Sequence, residues 1–143
     1  MLRVAEIMSD KLITVEPSTK LGEVVHLMRT YGCRQLPVVS EGRLVGIVTD
    51  RDVRLAMNSP LTLHERREDE ALLATVAVEA CMTLDPVTID SDASSALAAQ
   101  LLHTHKFGGL PVLQGEKLIG IVTVSDILIS YVSLTRAMEA AAD

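Results

Sequence analysis

The feature that most constrains this chain is that it is written twice. Residues 4–57 align without a gap on residues 78–131 at an offset of 74, with 14 identities in 54 positions. Nine of those identities fall between residues 36 and 52, where "LVGIVTDRDV" (44–53) returns as "LIGIVTVSDI" (118–127). Identities clustered in this way mark an internal duplication, so the fold must be built from two like units. A unit of this length buries too little surface to be more than marginally stable alone, which makes the paired arrangement the expected one.

Each copy carries the same sequence of local signals. Val4 to Met8, and Val78 to Met82, read as a short leading helix. "LITVEP" (12–17) and "PVTID" (86–90) alternate as short strands. Ser18 and its counterpart Asp92 are expected to cap the following helix. In the first copy that helix carries Leu21, Val24, Val25 and Met28 at one buried stripe's spacing. "LPVVS" and "RLVGIVT" then form a hairpin about Glu41-Gly42, and "LPVL" and "KLIGIVT" one about Gly115-Glu116. Glycine at the first turn position of the second hairpin suits a type II′ turn. A final helix starts near residue 50 or 124. The fold class is therefore mixed α/β (α+β), two tandem β-α-β-β-α repeats related by a pseudo-twofold axis. The expected boundaries are 1–57 and 78–132 for the repeats, 58–77 for a connector, and 133–143 for a helical tail. In the connector Thr62 and Glu65 have capping-box spacing, and the "ERREDE" charges read as a solvated face.

Composition narrows the function classes. The chain has 143 residues, 48% of them hydrophobic, and a net charge of −6. One Phe, two Tyr and no Trp leave few stacking platforms for single-stranded nucleic acid, and the charge opposes phosphate-backbone binding. No apolar run approaches the roughly 20 residues of a membrane span, and the start lacks a secretory h-region. A cytoplasmic location with no membrane insertion is expected. Cys33 and Cys81 stand apart, as reduced thiols packed like small hydrophobes. No G-x-S-x-G, Walker-type loop or H-E-x-x-H occurs, so no enzyme, metal site or covalently bound cofactor is expected. His103 and His105 lie two apart near a helix end, a poor spacing for one metal ion.

The ordered set "TVEP"/"TIDS", "LPVV"/"LPVL" and "GIVTDRD"/"GIVTVSD" resembles the cystathionine-β-synthase (CBS) domain, and the tandem resembles a Bateman module. The resemblance covers about residues 4–132. It implies a regulatory module that binds adenosine-containing ligands, of the ATP, ADP or AMP class, in clefts between the two repeats. It also implies a homodimer and a regulated enzyme or transporter supplied as a separate partner chain.

Thr49 with Asp52, and Thr123 with Asp126, have two compatible readings. Each Thr can cap the next helix while the Asp returns a bond into its first turn. The same carboxylate can accept hydrogen bonds from the 2′- and 3′-hydroxyls of ribose, leaving backbone N–H groups for phosphate. The resemblance places Thr14, Val15, Thr88 and Ile89 at the adenine edge through the backbone of 13–15 and 87–89. It makes Leu36 with Pro37, and Leu110 with Pro111, an apolar wall, although core packing accounts for the leucines as well. Arg34 and Arg51 would meet phosphate in the first copy, where the second has Gly108, Gly109 and Ser125. That departure leaves the second site empty or suited to a less charged ligand such as S-adenosylmethionine, unless Lys106, His103 or His105 reaches the phosphate. A ligand-independent dimerisation or interaction module, and an NAD(H) sensor, are the other readings. The tail stripe Ile127, Leu128, Tyr131, Leu134 and Met138 supports a dimer.

Overall fold

The structure, a computed structural model, describes residues 2–57 and 66–142. In chain order the elements begin with helices α1 (Val4–Ile7) and α2 (Leu21–Tyr31), strands β1 (Gln35–Ser40) and β2 (Arg43–Thr49), and helices α3 (Asp50–Met57) and α4 (Arg66–Thr75). A single 3-10 turn (Val78–Ala80) leads to β3 (Thr83–Leu84). The rest is β4 (Ile89–Asp90), α5 (Ser95–His105), β5 (Gly109–Gln114), β6 (Lys117–Thr123) and α6 (Val124–Ala142).

The chain forms two compact units, and they do not follow the repeat boundaries. One is continuous, Ile13–Pro86; the other joins Met1–Leu12 to Val87–Asp143. The leading segment of each copy is therefore built into the unit that holds the other copy's hairpin. In the continuous unit β3 extends β2 antiparallel, with Ile47 opposite Thr83 and Gly46 opposite Leu84. In the discontinuous unit Ser9 bridges Ile121 on β6, exchanging hydrogen bonds of 2.8 and 3.0 Å. These are the same pairing at the 74-residue offset.

Gly46 and Gly120 exist for this approach. A Cβ at Gly120 would lie 2.6 Å from the Ser9 carbonyl oxygen and 2.8 Å from Met8 Sδ. At Gly46 it would lie 2.8 Å from Met82 Sδ and 2.9 Å from the Thr83 oxygen. Glycine inside a strand commonly marks such a close crossing. Both hairpins carry the same bulge: Val38 pairs Gly46 but Val39 pairs Leu44, and Val112 pairs Gly120 but Leu113 pairs Leu118. The extra residue, Val45 or Ile119, bends the strand just before the glycine.

Both hairpins close in two residues, as expected. Glu41 and Gly42 both have positive φ (51° and 77°), the type I′ pattern, whereas Gly115 is positive (64°) and Glu116 is not, the type II′ pattern. The strand expected at 12–17 shrinks to one parallel bridge, Val15 to Val38, while its counterpart is the two-residue β4, parallel to β5. The second leading helix is only the 3-10 turn.

The caps expected at Ser18 and Asp92 are corrected by two residues. The helices start after Lys20, which makes no side-chain cap bond, and after Ser94, whose Oγ accepts the Leu97 N–H at 3.1 Å. Just upstream the chain is in turns of its own. The Glu16 N–H donates to Thr19 Oγ1 at 3.0 Å, and the Asp92 N–H to Asp90 Oδ1 at 2.8 Å. The first turn encloses Ser18 and the second holds Asp92 by its backbone N–H, so both residues stand in a turn ahead of the helix start.

Each unit has its own core. Leu21, Val24 and Met28 of α2 pack with Val15, Leu36, Val38, Val48, Val53 and Val78, and half-buried Val25 joins them. Val4, Ile89, Ala98, Leu102, Leu110, Val112 and Val122 form the other core. In the connector, Leu73 of α4 lies against Gly22 of α2. Glu68 and Glu70 are exposed and Asp69 is half-buried, while Thr62 and Glu65 lie outside the described residues.

Candidate functional site

In each unit the sheet and the helix after it converge on one reciprocal contact. The Thr49 N–H donates to Asp52 Oδ2 at 2.9 Å, and the Asp52 N–H donates to Thr49 Oγ1 at 3.1 Å. The Thr123 N–H donates to Asp126 Oδ2 at 2.8 Å, and the Asp126 N–H to Thr123 Oγ1 at 3.2 Å. Thr123 Oγ1 also donates to Asp126 Oδ2 at 3.0 Å. The local reading is thus observed twice: a capping box with Asp at its third helical position. The box occupies Oδ2 of each carboxylate and holds the group at the positive end of a helix dipole. Oδ1 of each takes no hydrogen bond from the described residues.

The surroundings of Asp52 assemble much of what the sequence nominates. The Asp50 N–H donates to the Arg34 carbonyl at 2.9 Å, and Gln35 pairs Thr49, so Arg34 sits beside the start of α3. Arg34 and Arg51 are exposed, whereas Asp52 and Thr49 are half-buried. Arg54 is 3.8 Å from Asp50, one turn back, so that pair balances itself. Val15 is tied to the same strand, donating to the Pro37 carbonyl at 3.1 Å and accepting from Val39 at 2.8 Å. Leu36 and Pro37 are both fully buried, and Leu36 belongs to the core.

Asp126 has the same backbone frame with different chemistry. The Val124 N–H donates to the Gly108 carbonyl at 3.0 Å, and Gly109 pairs Thr123. Ser125 replaces Arg51 and Gly108 replaces Arg34. Leu110 and Pro111 are buried like their counterparts; Ile89 is buried and Thr88 half-buried. His103, His105 and Lys106 end α5 exposed, with the His105 ring stacked on Phe107 at 5.1 Å.

Two grooves take in nominated residues. One, of about 390 Å³, is lined by Leu2, Glu6 and Ile7 with Asp126, Ile129, Ser130, Ser133 and Leu134. The other, of about 550 Å³, joins Thr14 and Val15 to Glu16, Glu23 and Glu41, an acidic surface that opposes phosphate. Glu6 and Ile7 were not legible as site residues, because nothing local says that the leading segment of the first repeat joins the unit that holds the second hairpin. Cys81, at the position of Ile7 in the duplication, lies within the field of Asp52. Burial pushes its thiol above the ordinary value, and the Asp52 charge pushes it further. Burial also raises Cys33, against the opposing pull of its own and the Gln35 backbone N–H.

Two βαββα-type copies, each carrying a capped aspartate after a "GIVT" strand, define a tandem-repeat α+β architecture. The sequence profile of the CBS domain matches the chain twice, at residues 4–59 and 78–133, and the chain belongs to the CBS domain family. A CBS domain-containing protein of Dictyostelium discoideum is 41% identical over 128 residues, 87% of this chain and 88% of that protein. Inosine-5′-monophosphate dehydrogenase of Methanocaldococcus jannaschii is 36% identical over 125 residues, 86% of this chain but only 22% of that enzyme. Among solved structures, CBSX2, a CBS-pair protein of Arabidopsis thaliana, matches in its complex with AMP with a TM-score of 0.77. The identity there is 26%, over 94% of this chain and 99% of that one. No helix among the described residues is long and apolar enough to cross a membrane.

Proposed function

We propose that this chain is a regulatory module that binds an adenosine-containing nucleotide, of the ATP, ADP or AMP class, at Asp52, and reports its occupancy to a regulated enzyme or transporter. The observation that carries the reading is the half-used carboxylate. Asp52 is fixed by its capping box through Oδ2, while Oδ1 is left to accept from a ribose diol beside Arg34 and Arg51. A solved relative with the same fold was crystallised with AMP, which supports the ligand class. In this proposal Thr14, Val15, Leu36, Pro37 and Thr49 frame the base and ribose, and the two arginines meet phosphate. The corresponding set of the second copy is Thr88, Ile89, Leu110, Pro111, Thr123, Ser125 and Asp126. The protein acts as a homodimer through the exposed apolar face of α6.

Titration calorimetry of Asp52→Asn tests the nucleotide reading. Asparagine keeps an oxygen for the cap, so stability falls by only a few tenths of a kcal/mol of dipole interaction. A ribose-binding carboxylate loses about 1.5–3 kcal/mol, roughly 10- to 150-fold in affinity for ATP or AMP. Wild-type affinity in the variant would leave Asp52 as a cap alone. GTP binding equal to ATP would reduce the site to a phosphate trap.

A further inference from the structure

Two methionines stand at the same place in the two units, and each touches the strand that its leading segment completes. Met8 Sδ lies over Gly120 of β6 and Met82 Sδ over Gly46 of β2, each 2.8 Å from where a Cβ would stand. The residue after each methionine is the one that pairs with the strand, Ser9 with Ile121 and Thr83 with Ile47. Both methionines are half-buried, packed against the core of their own unit but within reach of solvent. The start of each leading segment is anchored independently. Val4 and Val78 are fully buried, and their N–H groups donate to the Ala93 and Thr19 carbonyls at 2.9 and 2.8 Å. Each segment is thus pinned at its start and held at its end by a thioether and a strand pairing.

We infer that Met8 and Met82 are a pair of oxidation-sensitive latches, and that hydrogen peroxide, by converting them to sulfoxides, opens the ends of both leading segments without unfolding either unit. The thioether sulfur attacks one peroxide oxygen; an S–O bond forms, the O–O bond breaks, and the other oxygen leaves as water. Sulfur gives up two electrons and the peroxide takes them. The glycine side has no room even for a Cβ, and the core side is apolar, so the polar sulfoxide turns out to water. That removes the packing beside Ser9 and Thr83 and weakens their strand pairing. The residue before each methionine stands at an aspartate: Ile7 lines the groove of Asp126, and Cys81 lies within the field of Asp52. Oxidation therefore reaches the surroundings of both aspartates, whatever ligand they take.

The test treats the whole chain with hydrogen peroxide, restores the thiols with dithiothreitol, and follows with peptide mass spectrometry and hydrogen–deuterium exchange. Two other methionines give reference rates, Met138 at 71% exposed on α6 and Met28 at 8% on α2. Met138 should oxidise first, Met8 and Met82 next, and Met28 last. Exchange should then rise about tenfold in peptides carrying Ser9, Ile121, Thr83 and Ile47, the mark of local opening, while α2 and α5 keep their protection. Met8→Leu with Met82→Leu should abolish the peroxide-induced rise, because leucine fills a similar volume and carries no sulfur. Methionine sulfoxide reductases should reverse the rise in wild type. Unchanged exchange at full oxidation of Met8 and Met82 overturns the inference, as does a rise that survives in the double leucine variant. Oxidation of the pair no faster than Met28 overturns it, since the latches are then no more accessible than the core. Protection lost throughout α2 and α5 also overturns it, because the opening is then global.

Discussion

Replacing Gly120 by alanine should unseat the leading segment from the unit that holds β6. The added Cβ would sit 2.6 Å from the Ser9 carbonyl oxygen and 2.8 Å from Met8 Sδ. The sulfur ends a flexible side chain and can move. The carbonyl cannot, because Ser9 is locked to Ile121 by hydrogen bonds of 2.8 and 3.0 Å. Overpacking a tight contact costs about 1–3 kcal/mol, and each strained backbone hydrogen bond stands to lose up to about 1 kcal/mol more. The expected loss is about 2–4 kcal/mol, a fall in melting temperature of roughly 10 °C for a protein of this size. Urea unfolding followed by far-UV circular dichroism measures it. Gly46→Ala should cost less, since its backbone obstacle, the Thr83 oxygen, is farther away (2.9 against 2.6 Å) and its closest atom is the mobile Met82 sulfur. A Met8→Ala background should recover only a minor part of the Gly120→Ala loss. A Gly120→Ala protein within about 0.5 kcal/mol of wild type would refute the reasoning. So would full recovery on removing the Met8 side chain, which would make the sulfur the obstacle.

Thiol alkylation at pH 8 should be slow at both cysteines, and Asp52→Asn should speed Cys81, because removing the carboxylate charge favours the thiolate. A rate unchanged by that substitution would place Asp52 too far away to act on the thiol. The raised thiol values also bear on stability. The folded state keeps the proton longer than the unfolded one, so their contribution is complete below the unfolded thiol range and declines as pH rises through it toward the folded values, in alkaline solution. Light scattering should give twice the 15.5 kDa chain mass, and Tyr131→Lys with Met138→Lys should halve it. Those side chains are 64% and 71% exposed on α6, beside Leu128 and Leu134. A monomeric wild type at tens of micromolar would refute the dimer.

The duplication, both hairpins, the helical stripe of α2 and the Thr–Asp boxes could all be read from the amino-acid sequence. Each is a short-range pattern: a two-residue turn, a three- and four-residue spacing, an i to i+3 hydrogen bond. Helix starts were less legible, because the turns at Glu16–Thr19 and Asp90–Asp92 hold the cap-like residues Ser18 and Asp92 ahead of the helices. What only the tertiary structure decided is which leading segment completes which sheet. Val4 to Met8 and Val78 to Met82 are near-equivalent by local pattern, and backbone pairing carries no signature of its partner in either. Long-range packing makes the choice, setting Met8 against Gly120 and Met82 against Gly46. That same choice brings Glu6 into the groove of Asp126 and Cys81 into the field of Asp52, and so gives two aspartates with one local geometry different chemical surroundings.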